Sequence, residues 1–129
     1  MTIIEISEKI RDHLIQQGRV ASNGNTTTGT SMCRYRAENG DTCAVGCLIK
    51  PELYSEKMEH NPASAQVVKD AVCESLGVEW TENLAFILKE WQFYHDTYFG
   101  PHLAGLNDLR SPNHQHDQLM SVLKDTPVA

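Results

Sequence analysis

The sequence predicts a small α+β domain in which three to four helices pack on one β-hairpin, mainly helical and built around a single core. Three observations lead there. Apolar residues recur at helical spacing in separate runs, Asn39-Gly40 lies between two strand-like segments, and 129 residues are enough to bury one hydrophobic core without staples. Residues 1–129 are therefore read as one domain.

The first helix is announced by Thr2 followed three residues later by Glu5, a capping box, and by Ile3, Ile6, Ile10 and Leu14 up to Gly18. From Ser22 to Ser31 the run SNGNTTTGTS has no periodicity and nothing to bury, so residues 21–31 are expected to form a flexible loop. MCRYR and TCAVGCLI flank AENGD, and an Asn-Gly pair between such runs predicts a β-hairpin with AVGCLI as its buried arm. Gly46 in that arm would let a helix approach closely. Lys50-Pro51 ends it, and PELYSEKMEH reads as a short helical turn.

Asn61-Pro62 predicts the start of the second helix, which carries Val67, Val68, Ala71, Val72 and Leu76 to a terminating Gly77. The third starts at Thr81 with Glu82 in its first turn and ends at Gly100-Pro101. LAGLNDL is a short apolar turn, and Ser111-Pro112 opens a last helix with Leu119, Met120 and Leu123.

Charge and composition exclude several function classes. The net charge is −6, and the eleven Lys and Arg are scattered apart from Arg34 and Arg36, so duplex nucleic acid is not an expected partner. No apolar run approaches a membrane span, and MTIIEISEKIRDH has no secretory pattern. A cytoplasmic protein with reduced thiols is the expectation.

Two arrangements suggest chemistry. Cys33, Cys43 and Cys47 could hold zinc, but only Cys43 and Cys47 have close spacing, and in a strand they would lie about 13 Å apart, too far for one ion. HQH, His114 to His116, reads as solvated surface. The other arrangement is a Cys43 nucleophile with His95 as base. His95 falls in the middle of the stripe Leu84, Leu88, Trp91, Tyr98, so its ring points into the core. Asp96, one residue on, diverges by about 100° and is expected to be poorly placed to orient it.

Binding residues are suggested by the CRYR segment and by the third helix. Alternation puts Arg34 and Arg36 on one strand face, opposite Cys33 and Tyr35. Trp91 belongs to the core stripe, whereas Phe93 falls away from it, which makes the helix central or half of an interface, with a homodimer among the candidates. Cys73 reads as a small residue partly covered by a neighbour.

Taken together, C-R-Y-R, then C-A-V-G-C-L-I-x-P-E-L-Y, then W-Q-x-x-H-D ending at Asp96, resemble a family of small uncharacterised proteins of tailed bacteriophages and prophages. The resemblance covers roughly residues 5–97 and leaves a C-terminal extension, 100–129, outside it. It matches Cys33, Tyr35, Arg36, Cys43, Gly46, His95 and Asp96, while similar proteins often carry alanine in place of Cys47. It implies a provenance more than a reaction.

Small phage accessory proteins often bind a host enzyme or a defence system. The favoured expectation is therefore a non-enzymatic accessory protein of host takeover or counter-defence, without cofactor, that binds a host protein or a nucleotide-like ligand through Arg34, Tyr35, Arg36, Trp91, Phe93 and Asp96. The alternatives are a hydrolase or transferase using Cys43 and His95, and a zinc-stabilised module using Cys33, Cys43 and Cys47.

Overall fold

The computed structural model describes residues 1–18, 22–25, 31–33, 35–37, 40–59, 61, 64–97 and 111–123. Among these the elements are α1 (Ile3–Gln17), β1 (Ser22–Asn25), β2 (Ser31–Cys33), α2 (Gln66–Leu76), α3 (Glu82–Thr97) and α4 (Pro112–Leu123), with single 3₁₀ turns at Gly46–Leu48, Pro51–Leu53 and Glu56–Met58.

Helix α1 forms as its sequence dictates. Thr2 Oγ1 accepts from Glu5 N–H (3.1 Å), the Glu5 carboxylate accepts from Thr2 N–H (2.9 Å), and Gly18 closes the helix in the left-handed region (φ 71°). Those hydrogen bonds hold the Glu5 carboxyl below its ordinary range. Ile6, Ile10 and Leu14 are buried along one face. Helix α3 starts where Thr81 accepts from Leu84 N–H (3.1 Å), and α4 where Ser111 accepts from His114 N–H (3.3 Å). Helix α2 starts at Gln66, four residues after the expected Pro62, which lies outside the described residues; Gly77 ends it (φ 68°). The expected end of α3 at Gly100-Pro101 and the LAGLNDL turn also lie outside them.

The α+β expectation is overturned: the fold is mainly helical, and the helices do not pack on a hairpin formed by MCRYR and TCAVGCLI. The chain does reverse after Ala37. Gly40, at φ 93°, donates to Ala37 C=O (3.0 Å), Ala37 N–H donates to Asp41 C=O (2.8 Å), and Cys43 N–H to Tyr35 C=O (3.2 Å). These bonds flank a single bridge, Arg36 with Thr42, and the ladder stops there. Beyond it Cys47 N–H bonds Cys43 C=O, Leu48 N–H bonds Val45 C=O, and Ile49 N–H bonds Gly46 C=O. AVGCLI is buried except for the half-buried Cys47, but as a turn and not as a strand. Among the described residues the ladder is β1 antiparallel to β2, with Ser22 opposite Cys33: β1 and Ser31 come from the run expected to be a flexible loop, and Met32 and Cys33 of the expected first strand pair with that run instead of with TCAVGCLI.

Two tertiary contacts explain the difference. The outer edge of Thr42, where a further strand would pair, is closed by α1: Thr42 N–H donates to Gln17 Oε1 (2.9 Å), and Thr42 C=O accepts from Gln17 Nε2 (3.0 Å) and from the His13 ring (2.9 Å). Gly46 sits against the Tyr35 backbone, so that a Cβ there would lie 2.0 Å from the Tyr35 carbonyl oxygen. Its lack of a side chain serves this backbone contact and not the approach of a helix.

The core gathers Ile6, Ile10 and Leu14 of α1, Val68 and Val72 of α2, Leu84, Ile87, Leu88 and Trp91 of α3, and Leu119 of α4 around the Cys43–Ile49 turn. Helices α1 and α4 run antiparallel, with Ser7 bonded to His116 and Ile3 sharing a cleft with Met120 and Leu123. Replacing Gly46 with alanine should cost about 2–3 kcal/mol, because the opposing atom is a backbone carbonyl that cannot rotate away. Urea unfolding measures this, and a change below about 0.5 kcal/mol would contradict the packing described.

Candidate functional site

The residues expected to carry chemistry fall in the core. Cys43 is fully buried, its Sγ accepts from Gly46 N–H (3.2 Å), and desolvation drives its thiol pKa far up, with the nearby Cys47 and Asp96 acting in the same direction. A nucleophilic cysteine needs a thiolate within reach of substrate. Cys43 has the environment of a packing residue. His95 is also fully buried, and its Nδ1 lies 2.7 Å from Asp96 Oδ1, with Asp96 itself exposed.

Adjacent residues on a helix thus do meet here, correcting the expectation that Asp96 is poorly placed to orient His95. The carboxylate reaches back over the helix end, where Gln92 Nε2 also donates to it (2.9 Å). Gln92 Oε1 in turn accepts from Val45 N–H (3.2 Å), joining α3 to the turn.

Cys47 lies one helical turn after Cys43, the arrangement that could bring the two thiols together. Its Sγ instead donates to Ala44 C=O (3.1 Å), and burial pushes its thiol up to about 12. Among the described residues no group of three His, Cys, Asp or Glu side chains is placed to hold a metal ion. The Cys33 side chain and Arg34 lie outside those described. Cys73 is half-buried on α2, and burial raises its thiol pKa.

The residues expected to bind a partner divide. Trp91 (0% exposed) and Tyr35 (6%) are core, Arg36 is half-buried, and Phe93 (52%) and Asp96 are exposed. Tyr35 and Arg36 are organised by Glu59, a buried carboxylate that sequence reading did not single out. Glu59 Oε1 accepts from Tyr35 N–H (3.0 Å), and Oε2 accepts from Arg36 N–H (3.2 Å) and from the Tyr54 hydroxyl (2.5 Å). The Arg36 guanidinium lies over the Tyr54 ring (5.3 Å), and the Tyr35 hydroxyl donates to Asn61 C=O. Desolvation raises the Tyr35 pKa, with the nearby Asp96 and Glu59 carboxylates adding to it.

A second buried polar group joins three helices. Trp91 Nε1, which can only donate, bonds Ser7 Oγ (3.0 Å), and Ser7 Oγ lies 2.7 Å from His116 Nδ1. Ser7 therefore accepts from tryptophan, and its hydroxyl shares a second hydrogen bond with the His116 ring, whose direction follows the ring's tautomer. His116 is buried, which corrects the reading of HQH as solvated surface. The local signal for this group was Ser7, a hydroxyl on the stripe between Ile3 and Ile10, where burial demands a partner.

A further feature is a cleft of about 820 Å³ between the start of α1, the start of α3 and the end of α4. Ile3, Ile6, Val78, Leu84, Met120 and Leu123 supply its apolar walls, and Ile4, 55% exposed, lies on its rim. Among the described residues of the lining Glu79 is the acidic side chain, no Lys or Arg is present, and Met1 brings the chain's amino terminus. Ile4 had no local signal because it lies off the core stripe.

Comparison with known protein families, curated proteins and solved structures finds no match for the chain. The site is therefore read from its own geometry.

Desolvation lowers the His116 pKa below 6.5, with Arg11 acting in the same direction against Asp117, Glu8 and Asp12. The unfolded chain then binds the proton more readily than the folded one. This contribution to stability is present above about pH 6.5 and is lost as pH falls through the depressed folded value. Thermal melts from pH 7 to 5 should show a shallower decline for His116→Gln than for the wild type; parallel declines would contradict the assignment.

Proposed function

We propose that the protein is a small phage-encoded accessory protein that works by binding, in the host cytoplasm, a protein of the host, in the service of takeover or counter-defence. The observation that carries the binding reading is the open apolar cleft at the α1–α4 end, with Ile4 exposed on its rim. A contiguous apolar surface in a small acidic domain marks an interaction site better than scattered exposed residues do. The phage provenance is supported by the CRYR, CAVGCLIxPELY and WQxxHD motifs.

The alternatives have less support. A Cys43–His95 enzyme would need a thiolate open to substrate, whereas Cys43 is enclosed with its thiol pKa raised. A nucleotide-like ligand would need fork-shaped donors for its phosphates, and the described lining of the cleft is mostly apolar, with no Arg among it.

The test compares capture from a bacterial lysate by immobilised wild-type protein and by an Ile4→Asn/Leu123→Asn variant. A protein retained by the first and lost from the second is the expected result. Identical retention by both, or none by either, would contradict the cleft as the docking surface.

A further inference from the structure

His116 is a titratable ring set inside a contact between three helices. Its Nδ1 lies 2.7 Å from Ser7 Oγ of α1, the same oxygen that accepts from Trp91 Nε1 of α3 (3.0 Å), and all three side chains are buried. A neutral imidazole needs no counter-ion there, whichever nitrogen carries its hydrogen. An imidazolium does, and the junction offers it a hydroxyl and an indole, neither of them charged.

The charges around the ring lie toward solvent. Glu8, Arg11 and Asp12 act on it from α1 and Asp117 from α4, while Trp91, the α3 side chain in the junction, does not titrate. Asp12 and Asp117 are exposed, where water screens them, and Asp12 is already paired with Arg11 (2.9 Å). Glu8 is half-buried, and the half-buried Arg11 opposes it. Burial prevails over this mixed set and holds His116 below its ordinary value.

What docks α4 is separable from what holds the rest together. Among the described residues α4 places Pro112, His116 and Leu119 in the interior, with Met120 and Leu123 partly covered, and Gln115 Nε2 donates to Glu90 C=O of α3 over a long 3.4 Å. The bonds that Gln17, His13, Gln92 and Glu59 make to residues 35–45 tie the irregular middle to itself and to α1 and α3, and pass through no α4 side chain. Helix α2 is fixed to that middle by Ser75 Oγ, which accepts from Lys50 N–H (2.9 Å), and by Val68 and Val72 in the core. An element attached in this way can open locally while the remainder stays folded.

We infer that α4 is an acid-released element of the fold: protonation of His116 expels its ring from between α1 and α3 and undocks α4, while α1, α2, α3 and the 43–49 turn stay folded. Release carries Met120 and Leu123 away from the cleft, so the same protonation removes one of its walls. The inference goes beyond the binding reading above and does not depend on it.

The test follows amide hydrogen exchange of the full chain at pH 7, 6 and 5 by mass spectrometry, with each rate divided by its intrinsic value at that pH. In the wild type, protection of the α4 amides should fall at least about fivefold between pH 7 and 5, while that of the α2 amides stays within about twofold. His116→Gln, which keeps a polar side chain but cannot gain the charge, should hold α4 protection constant across the range.

Loss of protection by α2 in step with α4 would mean acid unfolding of the whole domain and would overturn the inference. So would α4 protection that is independent of pH in the wild type, or that falls equally in His116→Gln. Should His116→Gln fail to fold, the wild type decides by NMR titration: the α4 amide shifts must follow the midpoint of the His116 ring protons, and a different midpoint refutes the release.

Discussion

Glu59 gathers donors on one buried carboxylate, among them the backbone of Tyr35, the backbone of Arg36 and the hydroxyl of Tyr54. Much of the structure depends on this. Two successive backbone N–H groups left without partners in the interior would each cost about 1–3 kcal/mol, and a buried carboxylate without donors would cost more. Meeting both needs at once fixes the position of Tyr35. Its carbonyl then serves as the acceptor for Cys43 N–H and as the surface against which Gly46 packs. The 43–49 turn is held from below by Tyr35, from one side by Gln92 of α3, and at Thr42 by Gln17 and His13 of α1.

This chain of contacts explains how a mainly helical domain organises an irregular middle. Residues 35–59 contribute no long helix, yet they supply Tyr35, Ala37, Cys43, Ala44, Val45, Leu48, Ile49 and Met58 to the core. Their backbone groups are satisfied by side chains from helices on either side as well as by turns. Ser7, Trp91 and His116 play a comparable role at the α1–α3–α4 contact, where one hydroxyl bonds side chains of two other helices. Both polar groups specify a single packing, while an open apolar cleft lies at the α1–α4 end.

The helices were legible because their signals are local. Thr2 with Glu5, the spacing of Ile6, Ile10 and Leu14, Thr81 before Glu82, Ser111 before Pro112 and the closing Gly18 and Gly77 each act within a few residues. The hairpin was misread because a short apolar run such as AVGCLI is equally compatible with a strand and with a buried turn. What decides between them are Gln17 and His13, which lie 25 and 29 residues from Thr42. Glu59 carried no signal that separates it from Glu52 or Glu56 in the same stretch. Of the candidate site, burial of His95 was readable from its wheel position. The Asp96 contact was not, because a helix wheel describes Cβ directions and not the reach of a carboxylate at a helix end.

The dependence of the middle segment on Glu59 is tested most directly by Glu59→Gln, which keeps the shape and sets an N–H₂ against a backbone N–H. Urea unfolding and mapping of thiol labelling by mass spectrometry read the outcome together. The account predicts a loss of about 2 kcal/mol and labelling of Cys43, which stays unlabelled in the folded wild type. Unchanged stability with Cys43 still protected would contradict it.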